Sequence, residues 1–367
     1  ANNKFRNKEG VMASKVTIQD IADALGVSRN TVSKAINNTG TLADTTRDKV
    51  IHKAIEMGYK QFSYANPYQT KPSEQTAYAD SRKIALFTTC FLGSLHFSTS
   101  MLDMFYLEMS QLGYSLTMHL IHTDEIGRMQ LPASFCKAET AAIVCFETFD
   151  PDYSRMVCSL GIPVLFVDSP VDGLTGPLKA DRLYMDNTSG IFALVKEMAL
   201  RNKTRIGFIG EYLHCQSFFE RYAAYRNAMY MLGLPCPGEY CIIEDHKQAK
   251  SSSFKNCREY LLDRFQKLDT LPDVFLCAND FVAIDVLHVF HHLHISVPED
   301  VYLCGFDDSP EARVLSPSLT TVHIHGQIMG ITAMQLLMSR IKEPSLNYRA
   351  VYTETSPVFR RSTNDGI

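Results

Sequence analysis

The chain has 367 residues, 46% of them hydrophobic and 21% charged, with 15 prolines and no tryptophan. That length predicts two or three domains with a sizeable core, and the composition excludes collagen-like and disordered classes. Charge is uneven: ten Lys and Arg against six Asp and Glu set residues 1–60 at +4, whereas 26 against 34 set the remainder at −8. A basic head on an acidic body suits a chain that offers one end to a polyanion, although four of the ten basic residues lie in the first fifteen.

Residues 1–15 are polar and basic and read as a flexible arm, with Met12 as an alternative start. No apolar run is long enough to span a membrane and no signal-peptide stretch opens the chain, so no membrane partner and a cytoplasmic location are expected. Ten cysteines contain no Cys-x-x-Cys pair, and several sit in apolar runs such as IVCF and FLCA. They are expected to be free buried thiols in a reducing compartment.

Residues 16–60 are predicted to form three short helices. In TIQDIADAL, Ile18, Ile21, Ala22 and Leu25 recur at helical spacing, Thr17 can cap the start and Gly26 can close the end. Ser28 is a suitable cap for a second helix whose inner face is Val32, Ala35 and Ile36. After a loop, Asp44 can cap a third, with Val50, Ile51, Ala54 and Ile55 inward and Gly58 at its end. Two short helices joined by Gly-Val-Ser form a helix-turn-helix arrangement. Arg29 and Asn30 stand at the N-terminal end of the second helix, where arginine can pair with guanine and asparagine with adenine. Thr31, Ser33 and Lys34 can hold phosphates. On periodicity alone, the same polar face suits a three-helix bundle that merely faces water.

VTIQDIADALGVSRNTVSKAINNTG, followed by TTRDKVIHKAIEMGY, resembles the DNA-binding headpiece of the lactose-repressor (LacI) family of bacterial transcription regulators. The resemblance implies that Arg29 and Asn30 choose the operator sequence, with Thr31, Ser33, Lys34 and Asn37 in support. Thr17 and Ser28, at the two helix starts, complete the expected DNA-binding set in the headpiece.

Residues 61–82 form an expected hinge or linker. Family headpieces continue into a hinge helix that pushes a leucine into the minor groove. Here Ala65 matches the family alanine, Asn66 replaces the arginine and Tyr68 falls where the leucine would be. Pro67 would end a helix near Asn66. Some DNA contact from 62–68, through Tyr68, is expected, with less bending than an apolar wedge gives.

From Lys83 onward, apolar runs (KIALFTT, AAIVCF, IPVLFVD, RIGFIG, DVFLCA, VYLCGF) alternate with amphipathic stretches. The pattern predicts an α/β fold with parallel sheets flanked by helices, numerous enough for two sheets, with ligands beyond the strands' carboxyl ends. No Gly-x-Gly-x-x-Gly, Walker, Gly-x-Ser-x-Gly or His-Glu-x-x-His motif is present, so neither a cofactor nor an enzyme is expected. His288 and His292 lie four apart on one helix and His323 and His325 alternate, but neither pair has a third ligand at metal spacing.

The family resemblance extends through GIPVLFVD (161–168), DNTSG (186–190), Arg221, CAND (277–280), GFDDS (305–309), PSLTTV (317–322), Met329–Gly330–Ala333–Leu336 and RRST (360–363). It implies a two-lobed periplasmic-binding-protein-like core over 83–367, with lobe 1 at about 83–182 and 323–343 and lobe 2 at about 183–322 and 344–363. It also implies a small-molecule effector, of which a carbohydrate is the favoured class with a purine or other metabolite behind it, and a homodimer on double-stranded operator DNA. Asp168, Asn279 and Asp307 end apolar strands and can bond ligand hydroxyls, with Arg221 as a charged fork. Without tryptophan, stacking falls to Phe97, Phe149 and Phe218. Asp307 and Asp280 equally suit helix caps. The function expected is a ligand-responsive repressor; the alternative is a sensor or interaction protein whose headpiece no longer binds DNA.

Overall fold

The computed structural model describes residues 16–36, 46, 49, 50, 53, 54, 57, 82–90, 98–173, 176–244 and 256–364. The chain divides into two compact units, Ala1–Gln75 and Thr76–Ile367.

In the first unit, α1 (Ile18–Leu25) starts in a reciprocal cap: Thr17 Oγ1 accepts from the Asp20 N–H, and the Asp20 carboxylate accepts from the Thr17 N–H at 2.7 Å. The Thr17 hydroxyl, which donates to the Asp20 carboxylate at 2.8 Å, and the Thr17 N–H together hold the Asp20 carboxyl below its ordinary range. Gly26, at φ 65°, turns the chain out of α1 in the left-handed region. Ser28 Oγ then accepts from the Thr31 N–H at 3.0 Å and caps α2 (Arg29–Ile36). Ile21, Ala22, Val32, Ala35, Val50 and Ala54 are buried together, so the helical spacing in the sequence becomes a single small core.

The second unit comprises β1 (Lys83–Thr88), α3 (Ser98–Gln111), β2 (Ser115–Leu120), α4 (Thr123–Gly127), β3 (Thr140–Phe146), α5 (Pro151–Cys158), β4 (Val164–Val167) and β5 (Asp181–Met185). There follow α6 (Ser189–Leu200), β6 (Ile206–Ile209), α7 (Gln216–Met231), β7 (Cys241–Ile242), α8 (Cys257–Gln266), β8 (Val274–Cys277), α9 (Asp280–His292), β9 (Tyr302–Cys304) and α10 (Pro310–Val314). The chain closes with β10 (Thr321–Ile324), α11 (Gly326–Lys342), β11 (Ala350–Thr353) and β12 (Thr355–Val358). Six parallel strands form one sheet in the order β11-β5-β4-β3-β1-β2, and four form a second in the order β7-β6-β8-β9. An antiparallel pair, β10-β12, continues beside β9 through bridges Cys304–Thr320 and Asp307–His323.

Alternate residues face opposite sides of each sheet. Ile84, Leu86, Val144 and Leu165 share one core with Phe208, Leu276 and Cys304 of the second sheet, whereas Phe87, Ile143 and Phe166 face another. Helices cover both faces, which is why β3 and β4 are buried at every position and read as continuous apolar runs. Helix α11 packs directly on α3 at Gly330, where a Cβ would come within 2.4 Å of the Met101 carbonyl oxygen.

The chain crosses between the lobes after Met185, after Ile324 and at Glu354. The first two positions lie close to those expected from the sequence. The third corrects the assignment of 344–363 to lobe 2, because β11 pairs with β5 in the first sheet and only β12 onward joins β10. The fully buried Asp181 carboxylate fixes this edge, accepting from Arg340 Nη2 at 2.9 Å and Arg349 Nη2 at 2.8 Å. Burial alone would raise its pKa, but the two guanidinium groups outweigh burial and hold it below the ordinary value. Among the described residues, no helix is long and apolar enough to cross a membrane.

Candidate functional site

Two sites follow from these elements. On the headpiece, α2 turns Val32 and Ala35 inward, and this leaves Arg29, Asn30 and Lys34 exposed and Thr31 and Ser33 half-buried. No acidic residue lies in its first turn, so the partial positive charge of the helix start is not cancelled where a phosphate would dock. Thr17 and Ser28 serve as caps, and Ser28 Oγ lies 2.8 Å from Thr31 Oγ1, so these hydroxyls first define the helix starts. Asn37 and Tyr68, named with them from the sequence, lie outside the described residues, as does Phe97 of the expected effector set.

The second site lies at the carboxyl ends of the sheets. Glu147 follows β3, Asp168 follows β4 and Asp307 follows β9, with φ at 48°, 58° and 114°. Non-glycine residues in the left-handed region store strain of about 1–3 kcal/mol each, and such strain clusters at ligand sites. Arg221, on α7, is 2% exposed. Its Nε donates to Asn187 Oδ1 at 2.9 Å, and its Nη1 donates to the Ala278 carbonyl at 2.7 Å and, weakly, to Asp307 Oδ1 at 3.5 Å. The guanidinium carbon lies 3.6 Å from the Phe306 ring centroid, a close cation–π contact. Asp168 Oδ1 accepts from the Ser169 N–H at 2.8 Å and the Ser217 N–H at 3.2 Å, the latter at the start of α7.

Burial dominates the electrostatics. It pushes Glu147 up to about 7, with the Asp168 charge adding to the rise. Asp307 is pushed up to about 8 by burial, which Arg221 opposes and the charges of Asp280, Glu147 and Asp168 reinforce. Burial also raises Asp168, against hydrogen bonds from Ser169, Cys215 and Ser217. Asp307 and Asp168 therefore sense the Arg221 guanidinium, while Glu147 senses the charge of Asp168.

An aromatic wall joins the lobes: Phe149 meets His214 edge-on at 5.0 Å, and His214 meets Phe218 at 5.3 Å. Asn279 caps α9, its Oδ1 accepting from the Val282 N–H at 3.0 Å, and keeps its amide donors for other use. Asn279, Phe218 and His214 line a cavity of about 240 Å³ to which Asp168, Arg221 and Asp307 do not contribute. Asp307 is not a helix cap; Ser309 caps α10, and Asp280 accepts from the Ser309 N–H and the Thr321 hydroxyl. His323 contacts Asp308 and His325 contacts Ser356, while His288 and His292 are exposed on α9.

Sequence reasoning missed Glu147, Asn187, His214 and Phe306. Glu147 was findable, because it ends the apolar run AAIVCF as Asp168 ends IPVLFV. His214 meets Phe149 across 65 residues of chain, and no local pattern announces that contact.

Comparison with known proteins places both units. Residues 17–61 match "Bacterial regulatory proteins, lacI family", and residues 195–363 match "Periplasmic binding protein-like domain". The chain is similar to the HTH-type transcriptional repressor PurR of Actinobacillus pleuropneumoniae serotype 3, at 26% identity over 95% of this chain and 98% of the relative. It is 28% identical to the HTH-type transcriptional regulator GalR of Lacticaseibacillus casei, over 95% and 99%. It is 26% identical to the Ribose operon repressor of Escherichia coli K12, over 90% and 94%. Among solved structures, a transcriptional regulator CelR–cellobiose complex superposes with a TM-score of 0.63 at 21% identity, covering 95% of this chain and all of that one. The lac repressor dimer bound to operator and the anti-inducer ONPF gives 0.60 at 19% identity, over 95% and 99%. At those identities the solved structures establish the likeness of fold.

Proposed function

The chain belongs to the lacI family of bacterial regulatory proteins, and from that premise we propose a DNA-binding transcriptional repressor controlled by a small molecule held between its lobes. The observation that carries this reading is the pairing of a headpiece exposing Arg29, Asn30 and Lys34 with a core that buries a polar, strained cluster around Arg221. The family consists of regulators rather than enzymes. Arg29 and Asn30 read base edges, and Ser33 and Lys34, with Thr31, hold phosphates. The headpiece spans 16–60, the linker 61–82 and the effector core the remainder, and the protein acts in the cytoplasm beside its operator.

A carbohydrate is the effector class that best suits the cleft. Asp168, Asp307 and Asn279 offer acceptors and donors for hydroxyls, and Phe149 and Phe218 offer apolar faces. The names of the ribose and cellobiose relatives support the same class. The protein works as a homodimer, because one recognition helix reads few base pairs and two linked headpieces gain affinity by effective concentration. Effector binding changes how the lobes meet along Phe149–His214 and Tyr352–Glu220, the latter bonded at 2.8 Å, and operator affinity follows by linkage.

Selection of duplexes from a random library by the full chain tests this. The expected product is a near-palindromic site whose affinity falls steeply as salt rises. Failure to enrich any sequence at low salt would return the headpiece to an interaction module.

A further inference from the structure

Arg221 is held from two sides. Toward lobe 2, its Nη1 donates to the Ala278 carbonyl at 2.7 Å, just beyond the end of β8. On the other side its Nε donates to Asn187 Oδ1 at 2.9 Å. Asn187 belongs to neither sheet and stands just past β5, in the first crossing between the lobes. That crossing is tied to the third one: the Asp186 N–H donates to the Thr353 carbonyl and the Thr355 hydroxyl to the Asp186 carbonyl, each at 2.8 Å. The buried Asn187 amide donates onward through Nδ2, to Glu220 Oε2 at 2.8 Å and to Ser217 Oγ at 3.2 Å. Glu220 Oε1 in turn accepts from the Tyr352 hydroxyl at 2.8 Å and from Gln216 Nε2 at 3.0 Å. Tyr352 lies on β11, the edge strand of the first sheet, where its half-exposed ring stacks on Tyr184 at 5.1 Å. An unbroken chain of side-chain hydrogen bonds therefore runs from an open edge of lobe 1, through the crossing, to the buried guanidinium.

We infer that Asn187 is the positioning residue for Arg221 and that Glu220 and Tyr352 set Asn187, so that the angle between the lobes reaches the guanidinium. This rests on the effector-cleft reading above and adds how that site is regulated. Every bond in the chain has one possible direction. A guanidinium only donates, so Asn187 must turn its oxygen to Arg221 and its NH2 to Glu220, and the carboxylate accepts from both the amide and the phenol. Burial, with the Glu220 bond adding to it, pushes the Tyr352 phenol up and keeps its proton in place. A turn about the crossings that carries β11 away from α7 parts Tyr352 from Glu220. The Asn187 amide then loses a fixed partner, and Arg221 loses the rigid acceptor of its Nε. Hydrogen bonds weaken steeply with distance and angle, so a small turn is enough. A ligand that draws Arg221 into the cleft pulls on the same chain from its other end, and the coupling is reciprocal.

The test follows the Nε–H signals of buried arginines in the full chain by nitrogen-15 NMR. Arg340, whose Nε donates to Asp181 at 3.1 Å, serves as the internal reference. Loss of one signal in Arg221→Lys and of another in Arg340→Lys assigns the two. Tyr352→Phe keeps the stacked ring and removes only the hydroxyl. In it the Arg221 signal is expected to shift and to exchange with solvent at least about threefold faster, while Arg340 is unchanged. Asn187→Ala, which removes the acceptor itself, is expected to quicken Arg221 at least about tenfold. A Tyr352→Phe protein in which Arg221 keeps its signal and rate, or in which Arg340 quickens equally, overturns the inference. So does a parent chain whose Arg221 shows no protected Nε–H. Each of those results leaves the effector-cleft reading standing, because no effector enters the measurement. Should Tyr352→Phe not fold, Glu220→Gln decides by the same readings, since only one of its two end atoms remains an acceptor for the Asn187 amide and the Tyr352 hydroxyl.

Discussion

Asp307→Asn is predicted to gain stability over the parent chain as pH rises from about 5 to about 9. In the folded protein the carboxyl titrates at about 8, raised from 3.8 by burial, with Arg221 pulling it down and neighbouring carboxylates pushing it up. Unfolded, it loses its proton near the ordinary value. Between about pH 4 and 8 the folded chain therefore holds a proton that the unfolded chain has released. The stability this contributes is full below pH 4 and is lost as pH rises through 8. At about 1.4 kcal/mol per tenfold, the three pH units between 5 and 8 set a ceiling of about 4 kcal/mol, and water entry and movement of Arg221 toward the new charge reduce the expected difference to about 2–3 kcal/mol. Asn cannot titrate, and at pH 5 it replaces a neutral acid of the same shape, so parent and variant should then agree within about 1 kcal/mol. Glu147, raised in the same direction, is present in both proteins and largely cancels in the comparison. Urea unfolding followed by far-UV circular dichroism suits a chain without tryptophan. A stability difference that stays flat with pH, or a parent that gains on the variant, would refute the burial of Asp307.

Asp181→Asn should destabilise the core by about 3–5 kcal/mol, because it leaves Arg340, which is 4% exposed, and Arg349 facing an amide. Urea unfolding near pH 7 checks this, and a loss under about 1 kcal/mol would contradict the pairing. Thr17→Ala should cost the headpiece about 1 kcal/mol by removing half of the reciprocal cap, visible as earlier melting of headpiece amides in hydrogen exchange while core amides hold. Equal protection in both proteins would show that the cap is dispensable.

The headpiece was legible because its signals are local: a cap, a periodic stripe and a glycine at φ 65° all fall within α1 and its exit. Parallel sheets were legible because strands buried on both faces, such as β3, read as unbroken apolar runs. The third lobe crossing was misplaced for the opposite reason. AVYT is four residues long and mostly uncovered at the sheet edge, so neither length nor hydrophobicity marks it as a strand. In the cleft, Asp168, Asn279 and Asp307 were visible as polar residues ending apolar runs. The sequence does not show that Asn279 spends its oxygen on a cap, or that Asp307 shares its surroundings with Glu147. Those facts depend on which strand ends fold together.

The most direct test of the central claim is fluorescence anisotropy of the selected operator duplex and a scrambled duplex, titrated with the parent chain, Arg29→Ala and Lys34→Ala at two salt concentrations. The account predicts that Arg29→Ala loses about 1–3 kcal/mol of preference for the operator while still binding both duplexes. Lys34→Ala should weaken both duplexes alike and lower the salt dependence by about one phosphate contact. An Arg29→Ala protein that discriminates as well as the parent would contradict the assignment of α2 as the element that reads DNA.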